Sequence, residues 1–97
     1  MIIKQRNKWI DGFSLRLKTQ DEWISGIKQV PAFARALVAR MIWWDFAAER
    51  PVKDRWEKFD EFLVPPYDDI PAKALINGLM LCGYSKDRAI SRVRRAE

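Results

Sequence analysis

The chain has 97 residues, a formal net charge of +5, 48% hydrophobic and 32% charged residues, which are the proportions of one small folded domain and not of a disordered segment. It contains no histidine and a single cysteine, which removes the usual general base and metal ligand, any internal disulfide and any multi-cysteine zinc site. With no Walker-type glycine loop or GxGxxG pattern among its four glycines, the chain is expected to be no enzyme and to carry no metal, cofactor or small-molecule substrate.

Residues 1–18 read as a basic arm or a short β-hairpin. Asp11-Gly12 stands between two roughly alternating runs, the signal for a two-residue turn, and Phe13, Leu15 and Leu17 would then share one strand face. From Thr19 the signals become helical. Thr19 and Glu22 form a capping-box pattern before "WISGIKQV". Pro31 suits the start of a second helix and pushes Val30 towards an extended conformation.

That second helix is expected to run to about Glu49, before Pro51. Its apolar line is Phe33, Leu37, Met41 and Trp44, with Ala34, Val38 and Ile42 beside it. Trp43 and Phe46 fall outside the stripe. Adjacent helical residues point about 100° apart, so one narrow buried stripe cannot take both Trp43 and Trp44. A helix apolar around most of its circumference is either covered by neighbours or offers a face to another molecule.

"PVKDRWEKFDEFL" reads as the clearest amphipathic helix, with Val52, Trp56, Phe59 and Leu63 at helical spacing and Asp54 and Lys58 able to pair. The segment "VPPYDDIP", residues 64–71, holds three prolines and reads as an extended loop. Pro71 begins the helix "PAKALINGLMLC", closed by Gly83 as a left-handed cap, and Ser85 caps a final basic helix, "KDRAISRVRR". Cys82 sits in an apolar run and reads as a buried, inert thiol. The expected fold is an all-α helical bundle in one domain, 1–97: a basic arm or hairpin at 1–18, helices in 19–63, the proline-rich loop at 64–71 and a C-terminal helical hairpin at 72–97.

Both ends are basic. Lys4, Arg6, Lys8, Arg16 and Lys18 oppose Asp11 in residues 1–18, and Lys86, Arg88, Arg92, Arg94 and Arg95 oppose Asp87 and Glu97 at the other end. Residues 54–69 are acidic. Such a mosaic suits a protein interface at least as well as a nucleic-acid groove. The longest apolar stretch, Pro31 to Ala48, is interrupted by Arg35, Arg40 and Asp45, so neither a membrane span nor a signal peptide is read and a cytoplasmic location is expected.

Five tryptophans and five phenylalanines are a heavy load for a domain that buries only roughly 60–65% of its unfolded surface. A fully buried indole hides roughly 200 Å², a gross value of about 5 kcal/mol. An exposed ion pair contributes only about 0–1 kcal/mol. A protein partner is therefore favoured over nucleic acid, with Trp43, Trp44 and Trp56 as candidate anchors. Pro65, Pro66 and Tyr67 are a candidate recognition segment, because extended proline-rich chain loses little entropy on binding. X-Pro bonds in such loops also exchange slowly between isomers, which makes the 64–71 loop a candidate docking site for a host prolyl isomerase.

Two resemblances complete the reading. "LMLCGYSKDRAISRVRR" resembles the "GYS…A" turn of helix-turn-helix proteins such as small terminase subunits and some repressors. That implies a small DNA-binding protein with its second helix in the major groove. Leu79 departs from the small residue favoured four positions before the turn glycine, and no Asn or Gln is present to read adenine edges. The whole chain, with "RMIWWDFAAERPVKDRWEKFDEFLVPPYDDIP" at its centre and "SKDRAISRVRRAE" at its end, resembles the small anti-RecBCD accessory proteins of lambdoid phages. This resemblance implies a non-enzymatic phage protein in the host cytoplasm. It would bind host RecBCD through the RecC subunit and modulate its nuclease and recombination activity, protecting linear phage DNA. Arg88, Arg92, Arg94 and Arg95 would form an electrostatic rim near DNA, touching it indirectly or without sequence specificity.

Overall fold

The computed structural model describes residues 15–64 and 69–96. Within them the fold is all-α. The expected turn at Asp11-Gly12 and the segment Pro65, Pro66, Tyr67 lie outside the described residues. Leu15 is buried and Leu17 exposed, so these two do not share a face as a strand would require.

Helix α1, Gln20–Gln29, opens on the capping box expected at Thr19. The Glu22 amide donates to Thr19 Oγ1 at 3.2 Å and the Thr19 amide donates to Glu22 Oε1 at 3.2 Å. Val30 is extended, with ψ 137°, and Pro31 is the N-cap of α2, Ala32–Ile42. The carbonyls exposed where α1 ends are not left bare. Arg35 bends back from α2, donating from Nε to the Val30 oxygen at 2.8 Å and from Nη2 to the Lys28 oxygen at 2.9 Å.

The second helix does not end at Ile42 but widens into a π turn, Trp43–Ala47. A π turn holds more residues than an α turn, so each residue advances less around the axis. Phe46 and Ala47 are thereby brought round towards the core side, and both are buried.

After Pro51 the structure departs from the expected amphipathic helix. Two 3₁₀ segments, Val52–Asp54 and Glu57–Phe62, are separated by Arg55, which is extended, and Trp56, which is the N-cap of the second. The reason lies in the aromatic spacing. Trp56, Phe59 and Phe62 recur every third residue, the period at which 3₁₀ side chains eclipse. Trp56 and Phe59 are buried and Phe62 packs on the same core, whereas Val52 is exposed. The break between the segments also removes the helical geometry that an Asp54–Lys58 pair needs.

Helix α3, Ala72–Leu81, starts on Pro71 as N-cap. Gly83, at φ +110°, turns the chain out of it in the left-handed region that glycine tolerates. Ser85 Oγ accepts from the Arg88 amide at 3.2 Å and opens α4, Lys86–Ala96. A close approach sets the packing. A Cβ on Gly78 would lie 2.7 Å from Val38 Cγ2 and 3.2 Å from Val30 Cγ1, so α3 runs hard against the corner between α1 and α2.

That approach decides which side of α2 is the core side. Ala34, Val38, Ala39 and Ile42 are sealed from solvent, while Phe33 and Trp44 point outwards and Leu37 is half-buried; only Met41 of the expected line is inside. Small and β-branched side chains let the neighbouring helices close in, and a phenyl ring at that contact would hold them apart.

Candidate functional site

The outward side of α2 is a ridge. From Phe33, steps of four, three and four residues lead to Leu37, Arg40 and Trp44. At about 100° per residue these return to within roughly 40° of the starting direction, over about 16 Å of helix. Phe33 is 62% and Trp44 60% exposed, and Leu37 lies half-buried between them. The adjacent tryptophans thus have different fates. Trp43 leans inward on Phe59, with ring centroids 6.4 Å apart, and Trp44 faces solvent.

Behind Trp44 the π turn is held from several directions. Its i→i+5 bond runs from the Ala48 amide to the Trp43 oxygen at 2.8 Å. Phe46 stacks on Trp23 at 5.3 Å and meets the edge of Tyr84 at 6.0 Å. Asp45 accepts two short bonds from the C-terminal hairpin, 2.6 Å from the Tyr84 hydroxyl to Oδ2 and 2.7 Å from Arg92 Nε to Oδ1. The Asp45 and Arg92 side chains are only 16% and 14% exposed, where a charged hydrogen bond is stronger than in water. Burial, and then the charge and hydrogen bond of Asp45, hold the Tyr84 hydroxyl far above the usual phenol pKa, so it remains a donor. Burial likewise pushes the Cys82 thiol up to about 12, against a smaller opposing effect of Lys18.

Several sequence candidates are relocated. Trp56 is buried beneath the Arg50 guanidinium, which lies 4.5 Å from the indole centroid; it is a core residue and offers no anchor. Arg88 lies 5.6 Å from the ring centroids of Phe46 and Tyr84, and Arg92 is paired with Asp45, so these two arginines turn inward. Arg94 and Arg95 are exposed. The sequence set Phe33 and Leu37 on the apolar line of the helix without marking them as anchors, and gave Asp45 and Tyr84 no role. The Phe33–Trp44 alignment was legible in the helical period, but which way it faced was not.

Among the described residues, no three potential metal ligands come together, and no helix is long and apolar enough to cross a membrane. What the arrangement presents is two large exposed rings, Phe33 and Trp44, with the aliphatic Leu37 between them and a π turn tied to the C-terminal hairpin behind. Comparison of the chain with protein-family models, curated proteins and solved structures finds no match.

Proposed function

We propose that the chain is a non-enzymatic phage protein that binds the host RecBCD helicase–nuclease through its RecC subunit and modulates its nuclease and recombination activity. The observation that carries this reading is the paired exposure of Phe33 and Trp44 on one face of α2. Large rings left wet on a small domain mark a docking surface, tryptophan is enriched among the residues that dominate binding energy, and anchors at this spacing suit a helix laid into an apolar groove. The whole-chain resemblance supplies the identity of the partner. Within the same reading, the proline segment 64–71 docks a host prolyl isomerase.

The test is binding of the purified chain to purified RecBCD, with degradation of linear duplex DNA measured in parallel. The complex is expected to persist at moderate salt, and a Phe33→Ala, Trp44→Ala double variant that keeps its helical circular dichroism is expected to lose it. Absence of binding by the unaltered chain overturns the reading.

A small DNA-binding protein is the competing reading. The left-handed Gly83 and the Ser85 cap before the exposed Lys86, Arg94 and Arg95 favour it; the inward turn of Arg88 and Arg92 weakens it. Affinity for duplex DNA alone that collapses between roughly 50 and 200 mM salt would select it.

A further inference from the structure

Of the five residues in the π turn, Trp44 alone is exposed. Trp43 rests on Phe59 and Phe46 is stacked on Trp23, while Ala47 is sealed in the core. Asp45, the immediate neighbour of Trp44, is tied by Tyr84 and Arg92, 39 and 47 residues further along the chain. An isolated π turn is a rare conformation that needs its surroundings to maintain it, and such turns gather at functional sites. Here the carboxylate accepts the hydrogen bonds by which the C-terminal hairpin holds the turn, beside the contacts of Tyr84 and Arg88 with the Phe46 ring.

We propose that Tyr84 and Arg92 are positioning residues for the docking ridge: acting through Asp45, they fix the direction in which Trp44 is presented, so α4 serves the protein interface. This rests on the ridge being the binding face. It also gives Arg92, a basic residue of α4, a task other than phosphate contact. Releasing Asp45 frees the turn to relax towards α-helical register, which changes the angle between Trp44 and the core-bound Phe46, so the direction of the Trp44 ring is no longer fixed.

The experiment uses the full chain labelled with 5-fluorotryptophan, with the Trp44 fluorine resonance assigned through Trp44→Phe, together with affinity for purified RecBCD. Tyr84→Phe keeps the ring and removes only the hydroxyl. Arg92→Gln removes the charge, and Arg92→Lys restores it. Tyr84→Phe and Arg92→Gln are expected to shift or broaden the Trp44 resonance and to weaken binding roughly five- to tenfold, with Arg92→Lys recovering part of both. In a Trp44→Ala background the same substitutions are expected to cause no further loss, because their effect passes through the missing ring.

An unmoved Trp44 resonance overturns the proposal, as does an equal binding loss with and without Trp44. If the unaltered chain does not bind RecBCD, the functional reading falls, while the fluorine resonance still decides whether the hairpin positions Trp44. Should Tyr84→Phe unfold, Arg92→Gln and Arg92→Lys carry the comparison.

Discussion

The guanidinium of Arg50 lies over the indole of Trp56, 4.5 Å from its centroid, and its Nη2 donates to the carbonyl oxygens of Arg16 at 2.8 Å and Lys18 at 3.4 Å. One side chain therefore joins three pieces of chain: the segment before α1, the end of the π turn and the 3₁₀ region. Arg50→Ala is expected to destabilise the fold by about 2–4 kcal/mol, from charged hydrogen bonds and a partly desolvated cation–π contact. Arg50→Lys should recover only part, since a point charge cannot stack and bridge as a planar fork does. Urea unfolding measures both, and an unchanged midpoint for Arg50→Ala refutes the tie.

Gly78 and Gly83 resist substitution for different reasons. Alanine at Gly78 gains roughly 1 kcal/mol of helix propensity, yet its methyl would sit 2.7 Å from Val38 Cγ2, and overpacking costs about 1–3 kcal/mol. The net expectation is destabilisation, relieved when Val38→Ala is added. At Gly83 the strain is in the backbone, at φ +110°, and a methyl would also lie 2.6 Å from Lys18 Nζ, the end of a flexible side chain, so Gly83→Ala should destabilise and adding Lys18→Ala should not rescue it fully. Thermal unfolding of the two pairs of variants separates packing from conformation.

Stability is expected to fall in alkaline solution. The Cys82 thiol is raised from 9.0 to about 12 by burial, opposed in small part by Lys18, so the folded state holds a proton that the unfolded state releases first. Its contribution is fully present below pH 9 and is lost between pH 9 and 12, at about 1.4 kcal/mol per pH unit. Tyr84, raised by burial and then by Asp45, adds a loss of the same sign above pH 10. Urea midpoints from pH 8 to 11 should decline, and Cys82→Ala should flatten the first part of that decline. A midpoint that rises with pH contradicts the assignment.

The tryptophans should differ in their access to solvent. Trp44→Phe is expected to remove emission that acrylamide quenches readily, whereas Trp23→Phe is expected to remove shielded emission, because Trp23 is fully buried. Equal quenching constants for the emission lost in the two variants would deny the outward placement of Trp44. In the proposed complex with RecBCD, the Trp44 contribution should become shielded.

Much of the architecture was readable from local signals. The Thr19–Glu22 box, the starts at Pro31 and Pro71, the Gly83 cap and the Ser85 cap each depend on a few adjacent residues, and each stands where its pattern placed it. The segment after Pro51 was misread because Val52, Trp56, Phe59 and Leu63 satisfy an α period while Trp56, Phe59 and Phe62 satisfy a 3₁₀ period. Two periods fitted one string, and packing against α1 and α2 selected the second. Arg88 and Arg92 looked like surface charge because no local pattern announces the Phe46 ring 42 residues before the first or the Asp45 carboxylate 47 residues before the second.

From the order of its residues alone, this protein is an all-helical domain with aromatic rings in excess of a thin core. Propensity, capping and hydrophobic period act over a few residues and need no distant contact. Which rings lie inside was decided only in three dimensions. The bare Cα of Gly78 draws α3 onto Val38 and turns Phe33 and Trp44 outwards, while Asp45 finds its partners on the C-terminal hairpin. Close packing depends on the shapes of surfaces remote in sequence, so the exposed ridge of Phe33 and Trp44 exists only once the helices have met.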